Sequence, residues 1–249
     1  MYSTEQKLVD ELFHSAECGE NLFDLTIASL NTQMNEEYAV LKRELDTAEK
    51  RYDDWKSDYD AKNQATDEYV EFSIDEYHDL LLDCQASQAH SEYIADQVFA
   101  LVEMQVIYSF KQLEITLKSL LSLAFDNVDK KSLFNWKSLK KEYNSRNVKI
   151  SEADNYVPIN QLRVVNNALK HSSKITQEVK ELAIVEFRDL ELFDYESLNS
   201  FYKRIKDDIK VFLLSVVCML VSSLGLSHLH WRTNPNRDET FEFEMDIPF

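Results

Sequence analysis

The sequence predicts an all-α protein, and three observations support that prediction. The chain of 249 residues contains only two glycines and three prolines, the residues on which β-turns and phosphate-binding loops depend. Residues 20–157 contain neither, and are rich in Leu, Glu, Lys, Asp and Ala. Apolar residues make up 44% of the chain, which is enough for a hydrophobic core. We therefore expect long helices joined by short polar turns.

A short amphipathic helix and a long heptad pattern come first along the chain. The short helix is expected from Thr4 to about Glu17, with Gly19 near its C-terminal cap. A seam of apolar residues at alternating spacings of four and three follows: Met34, Tyr38, Leu41, Leu45, Ala48, Tyr52, Trp55 and Tyr59. The seam fades between residues 60 and 72, after which Ser73 and Glu76 have the form of a capping box. We expect two long helices folded back as a hairpin; a continuous rod that dimerises would give the same spacing, and an amphipathic helix packed on its own domain is the other alternative.

The net charge of -18 is concentrated in the first part of the chain. Residues 1–100 hold 24 acidic and 7 basic side chains, whereas residues 101–249 hold 21 and 20. This asymmetry divides the chain into an acidic coiled-coil-like helical arm (residues 1–95), a helical bundle (96–226) and a C-terminal tail (227–249). A surface of that charge repels phosphate, so the arm is not expected to contact nucleic acid.

The rest of the chain predicts a compact bundle. Residues 97–125 are apolar on most faces, which is typical of a central helix. Helices are also expected from Pro158 to about His171, from Thr176 to about Phe187 and from Tyr195 to Leu224. The apolar run at residues 211–226 is 16 residues long, too short to span a membrane, so it predicts a buried core helix. Alternating apolar residues after Gly225 suggest a small β-hairpin in the tail.

Cysteine usage and the N-terminus favour a cytoplasmic protein without metal or cofactor. Cys18, Cys84 and Cys218 are odd in number, far apart and set in helical patterns, so neither a disulfide framework nor a metal site is indicated. The first residues lack the features of a signal peptide. No P-loop, catalytic triad or zinc signature is present in the sequence.

One helix has a pattern that suggests chemistry. At 100° per residue, Arg163, Asn166, Asn167, Lys170 and His171 fall within an arc of about 140° on the helix surface. The apolar residues Leu162, Val164, Val165, Ala168 and Leu169 fall outside it. Two cations, two amides and an imidazole could bind a phosphate and move a proton near neutral pH, and a solvated helix face is the alternative.

A second candidate surface is the basic stretch at residues 130–149. It carries seven cations and three aromatic residues, Phe134, Trp136 and Tyr143, in an otherwise acidic protein. We expect Lys137, Lys140, Lys141 and Arg146 to contact RNA, if RNA is bound.

Residues 97–224 resemble the HEPN superfamily, helical bundles found in toxin, antiphage and RNA-processing proteins of prokaryotes. The resemblance is carried by a long apolar helix, a Trp- and Tyr-bearing connector, the helix Leu-Arg-Val-Val-Asn-Asn-Ala-Leu-Lys-His-Ser at residues 162–172 and a final amphipathic helix. It implies a homodimer and a metal-independent ribonuclease, in which His171 transfers a proton and an arginine stabilises the developing charge.

The sequence departs from that family pattern at one position. Asn166 stands where active members have arginine, although Asn167 matches the polar residue that commonly follows it. Arg163 or Lys170 would have to replace the missing charge. Two functions therefore stay open: a HEPN-like endoribonuclease or toxin in stress or phage defence, and an inactive homodimeric scaffold that binds a protein partner through its acidic arm.

Overall fold

The computed structural model describes residues 3–17, 22–65, 73–129, 131, 133–171 and 174–230. The helices in these ranges are α1 (Thr4–Glu17), α2 (Leu22–Ala65), α3 (Ile74–Ala124), α4 (Trp136–Ser145), α5 (Tyr156–His171), α6 (Gln177–Glu181) and α7 (Tyr195–Ser223). Strands are absent from the described residues, so the all-α prediction is confirmed there. The hairpin predicted for the tail falls mainly on residues 231–249, and Gly19 on 18–21, outside the described residues; Ser227–Leu229 forms a 3-10 turn.

The core is enclosed by α1, the C-terminal half of α3, α5 and α7, which contact one another. Each helix carries an apolar face, and burial of a Leu, Val or Phe side chain stabilises the fold by about 1.5–3 kcal/mol. The apolar run at the end of α7 supplies six fully or almost fully buried residues: Phe212, Leu213, Val216, Val217, Leu220 and Val221. α1 also packs into this core, through Val9, Leu12, Phe13 and Ala16.

The two longest helices pack against each other with opposite directions. Near the bundle, Leu41 of α2 contacts Ile94 and Val98 of α3. Farther away, Trp55 lies 5.6 Å from Tyr77, measured between ring centroids. All eight seam residues of α2 are buried or partly buried, as a heptad seam that faces a partner helix requires. We call α2 together with residues 74–96 of α3 the helical pair.

α3 is one uninterrupted helix of 51 residues. It begins after Ser73, whose hydroxyl accepts a hydrogen bond from the backbone N–H of Glu76 at 3.2 Å. Its N-terminal part belongs to the helical pair and its C-terminal part to the core. The boundary between residues 95 and 96 therefore lies inside a helix.

The helix expected from Thr176 to Phe187 is wrong in extent. α6 ends at Glu181, and Ala183 has φ +47°, which stops α-helical geometry. Val185–Phe187 then forms a 3-10 turn. An antiparallel bridge between Lys174 and Leu192 joins the two ends of this short-element region.

Candidate functional site

The candidate site lies on α5, a helix packed against α3 and α7. α5 begins at Tyr156, with Pro158 in its first turn, where the missing N–H of proline costs nothing. The five apolar residues expected to face the bundle are all buried: Leu162, Val164, Val165, Ala168 and Leu169. The sequence therefore predicted the inward face of α5 correctly.

Asn166 was predicted on the polar face, and the structure shows instead that it is completely buried. Its position at the edge of the arc brings it beside the inward-facing Leu162 and Leu169 on the helix surface. Its Nδ2 donates to Oδ1 of Asn167 at 3.2 Å, whereas its own Oδ1 is buried without a hydrogen-bond partner. The side-chain amide of Asn166 is thus enclosed by protein.

Arg163 was also predicted on the polar face of α5, and its guanidinium is bound by neighbouring side chains. Its Nη2 makes an ion pair with Oε1 of Glu178 in α6 at 2.9 Å, and its Nε donates to Oδ1 of Asn160 at 3.1 Å. Only 20% of the side chain is exposed. The guanidinium therefore joins α5 to α6, and its charge is balanced by a carboxylate.

Three predicted site residues do share an exposed surface at the end of α5. Asn167, Lys170 and His171 are all exposed, and their spacing of three and four residues puts them side by side on the helix. Lys170 and His171 lie in the last turn, where positive charge is favoured by the helix dipole. No hydrogen bond among the described residues joins this group to Arg163. The structure therefore separates the predicted site into an exposed group, a paired arginine and a buried amide.

The aromatic residues of the basic stretch stabilise the fold. Trp136 packs against Phe110 of α3 with 5.7 Å between ring centroids. Tyr143 is fully buried, and its hydroxyl donates to the backbone oxygen of Leu117 at 2.8 Å. Burial raises the pKa of Tyr143 well above its usual value. Neither of these two rings presents a face for stacking on a base, whereas the third aromatic residue of the stretch, Phe134, is 78% exposed.

The four cations predicted to contact RNA divide into two pairs. Lys140 donates to the Tyr156 hydroxyl at 3.0 Å, and Arg146 forms an ion pair with Glu142 at 3.2 Å. Lys137 and Lys141, one helical turn apart on α4, are exposed and make no ion pair within the described residues. Only the second pair is positioned as a surface contact.

The main polar cluster beside α5 was not predicted from the sequence. Arg204 of α7 donates to both carboxylate oxygens of Glu186, at 2.6 and 3.0 Å, and both of its terminal nitrogens lie 3.2 Å from Oε1 of Gln161. Burial alone would raise the pKa of Glu186, but the hydrogen bonds from Arg204 and the backbone outweigh it, so the pKa is lowered. The three residues are far apart in sequence and form no motif, so no local signal predicts the cluster. It ties α5 to α7.

Comparison with protein-family models, curated proteins and solved structures finds no match. In the part of the chain that the structure describes, no helix has the length and apolarity needed to cross a membrane. Nor do the described His, Cys, Asp and Glu side chains include a group of three or more that could hold a metal ion.

Proposed function

We propose that this chain is a HEPN-like bundle that acts as a homodimeric scaffold and binds a protein partner through its acidic arm. One observation carries the choice of a scaffold over an enzyme. At the family's arginine position stands a buried amide, Asn166, and of the two cations that could replace it, Arg163 is already paired with a carboxylate and Lys170 is an exposed point charge without the bidentate geometry of a guanidinium.

Electrostatic catalysis requires donors that are oriented toward the charge developing on the substrate. Arg163 would have to leave Glu178 and Asn160 before its charge could act on a phosphate. Asn166 would have to leave the core, and an amide supplies less stabilisation than a guanidinium. In the structure, Arg163 joins α5 to α6 and Asn166 is enclosed in the core, so neither side chain is available to a substrate.

The helical pair supplies a surface suited to a basic partner. Residues 74–110 of α3 contain seven acidic side chains and no lysine or arginine. Six of the seven, at positions 75, 76, 79, 83, 92 and 96, are exposed. A surface of one sign accelerates encounter with a partner of opposite sign and discriminates against RNA.

The arm can be tested by removing charge without removing structure. A variant with Asp75→Asn, Glu76→Gln and Asp79→Asn should lose most of the protein partners that the full chain captures from a lysate of its own host, quantified by mass spectrometry. The matched control neutralises three exposed carboxylates outside the arm, Asp126, Asp189 and Asp207, and should retain them. Equal capture by both variants would refute the acidic arm as the partner-binding surface. Light scattering of the purified chain tests the homodimer, and a monomer at micromolar concentration would refute it.

A second candidate, a metal-independent endoribonuclease, is favoured by the exposed group Asn167, Lys170 and His171 and by the exposed Lys137 and Lys141. It predicts RNA cleavage in EDTA that is lost in His171→Ala and retained in His90→Ala, an exposed histidine of the helical pair. If Arg163 serves the reaction, Glu178→Gln should increase cleavage because it removes the carboxylate paired with the guanidinium. Absence of cleavage by the wild type, or undiminished cleavage by His171→Ala, would exclude this function.

A further inference from the structure

Four aromatic rings come together where the helical pair is farthest from the bundle. Tyr52, Trp55 and Tyr59 of α2 are grouped with Tyr77 of α3, and we call them the aromatic cluster. Tyr77 lies 6.1 Å from Tyr52 and 5.6 Å from Trp55, and Trp55 is stacked 5.7 Å from Tyr59, all between ring centroids. A side-chain hydrogen bond to Tyr77 raises the pKa of Tyr52.

The cluster concentrates large rings in one part of the seam, although Met34, Tyr38 and Leu45 elsewhere in the seam are partly exposed as well. Near the bundle, the seam is closed by Leu41 and Ala48, which are 7% and 3% exposed. All four aromatic residues are partly exposed. The cluster therefore adds partly exposed aromatic surface to the contact between α2 and α3, which aliphatic side chains would not provide.

Carboxylates surround the aromatic cluster on both helices. Exposed acidic residues adjoin it in sequence on α2 and α3: Asp53, Asp54, Asp58, Asp60, Asp75, Glu76 and Asp79. Three cations are nearby: Arg51 forms an ion pair with Asp83, Lys62 forms one with Asp58, and Lys56 is exposed beside Trp55, so the eight carboxylates, Asp83 included, still outnumber the cations. Electron-rich ring faces and carboxylates both favour cations, and arginine binds to them together because its planar guanidinium stacks and donates hydrogen bonds.

We propose that the aromatic cluster binds an arginine-rich segment of a partner protein, with guanidinium groups on the rings of Trp55 and Tyr77 and the surrounding carboxylates as their counter-charges. This inference rests on the proposed function, since it names the chemistry of the partner and the place on the arm where it binds.

The test measures fluorescence anisotropy of the full chain with a labelled peptide of alternating Arg and Ser, its ends blocked. Replacing both Trp55 and Tyr77 by Leu preserves apolar seam contacts but removes the ring faces, and should weaken binding about ten-fold, since each cation–π contact at a partly exposed site is worth roughly a two- to five-fold change. The control is Phe134→Leu, which removes an aromatic residue that is 78% exposed but outside the cluster, and should leave binding unchanged. Far-UV circular dichroism checks that each variant keeps its helices.

The outcomes separate this inference from the proposed function. If the peptide binds the ring variant as tightly as the wild type, while Asp75→Asn with Glu76→Gln and Asp79→Asn weakens it, charge alone is responsible and the aromatic site is refuted, although the acidic arm still stands as the partner-binding surface. If neither variant weakens binding, the aromatic site is refuted as well. If the ring variant loses helicity, a second experiment uses a chain with Trp136→Phe and Trp231→Phe, in which Trp55 is the one remaining tryptophan. The fluorescence emission of Trp55 should then change when the peptide is added. Unchanged emission at saturating peptide refutes the aromatic site.

Discussion

Replacing Asn166 by leucine should stabilise this protein, although the same residue occupies the most suggestive position of its sequence. Leucine has the same branched arrangement of four side-chain heavy atoms as asparagine, so it can fill the same space. Asn166 is fully buried, and its Oδ1 has no hydrogen-bond partner. The substitution removes a desolvated acceptor from the core.

The expected magnitude follows from three contributions. An unsatisfied buried acceptor costs about 1–3 kcal/mol, which the variant recovers. The variant loses the bond from Nδ2 to Asn167, worth about 1 kcal/mol, and Asn167 is exposed and can bond to water instead. Leucine is a better helix former by a few tenths of a kcal/mol. We expect a net gain of about 1 kcal/mol, which for a chain of this size raises Tm by about 2–4 °C.

Urea denaturation followed by circular dichroism at equilibrium measures this change. A double-mutant cycle with Asn167→Ala tests the hydrogen bond between the two residues. In the wild type, Asn167→Ala leaves Nδ2 of Asn166 without its acceptor, whereas in the Asn166→Leu variant that cost is absent. The two substitutions should therefore show a coupling energy of about 1 kcal/mol. A loss of more than about 1 kcal/mol in Asn166→Leu would refute the reasoning and mean that Oδ1 is hydrogen-bonded in solution. The scaffold proposal also requires partner capture by this variant to be unchanged.

The remaining predictions concern helix ends, a buried hydroxyl and pH. Ala183 and Gly225 both have positive φ, a conformation that glycine adopts without strain, so Ala183→Gly should stabilise and Gly225→Ala destabilise the fold by about 1 kcal/mol each in thermal unfolding. A Cβ on Gly225 would meet nothing within 4 Å, so its effect comes from backbone strain alone. Changes of the opposite sign would show that positive φ is not the cause. Tyr143→Phe should cost about 1 kcal/mol in urea, since it removes a buried hydrogen bond from the hydroxyl to a helix carbonyl, and no change would contradict that bond. Because the pKa of Glu186 is lowered, the stability that its carboxylate contributes is present above about pH 4.3 and is lost as pH falls through the lowered pKa. Glu186→Gln should therefore be less stable than the wild type at pH 7, and the difference in stability should shrink toward pH 3. A difference that stays constant with pH would show that the ionised carboxylate is not its source.

Periodicity was sufficient to predict most helices because burial on one face repeats along the chain. α1 has the predicted bounds, and α7 begins at the predicted residue and ends one residue early. The heptad seam of α2 identified the residues that face α3, although spacing alone left three arrangements open. The break at Ala183 escaped prediction because alanine ordinarily favours helix, and here it adopts a left-handed conformation at a helix end.

The candidate site was harder to predict because a residue's angle around the helix does not determine whether it is buried when it lies at the edge of the polar face. Asn166 and His171 lie at opposite edges of the same arc, and the structure buries the first and exposes the second. The difference depends on which helices pack nearby, which requires the tertiary structure. The partner of Arg163, Glu178, lies 15 residues further along and beyond the end of α5, so no spacing rule on one helix could have identified it.

The continuity of α3 gives the charge asymmetry of the sequence a structural meaning. Between residues 74 and 110 the helix carries no lysine or arginine, and its first basic residue is Lys111, within the part that packs into the core. A linker between two domains would allow the acidic part to orient independently, whereas an unbroken helix fixes its direction relative to α5 and α7. Tyr195, in the first turn of α7, strengthens this connection, because its hydroxyl lies 3.2 Å from Oδ1 of Asn35 in α2. The acidic surface is therefore presented at a defined position by the bundle, which is the arrangement that a scaffold requires and that a flexible tether would not provide.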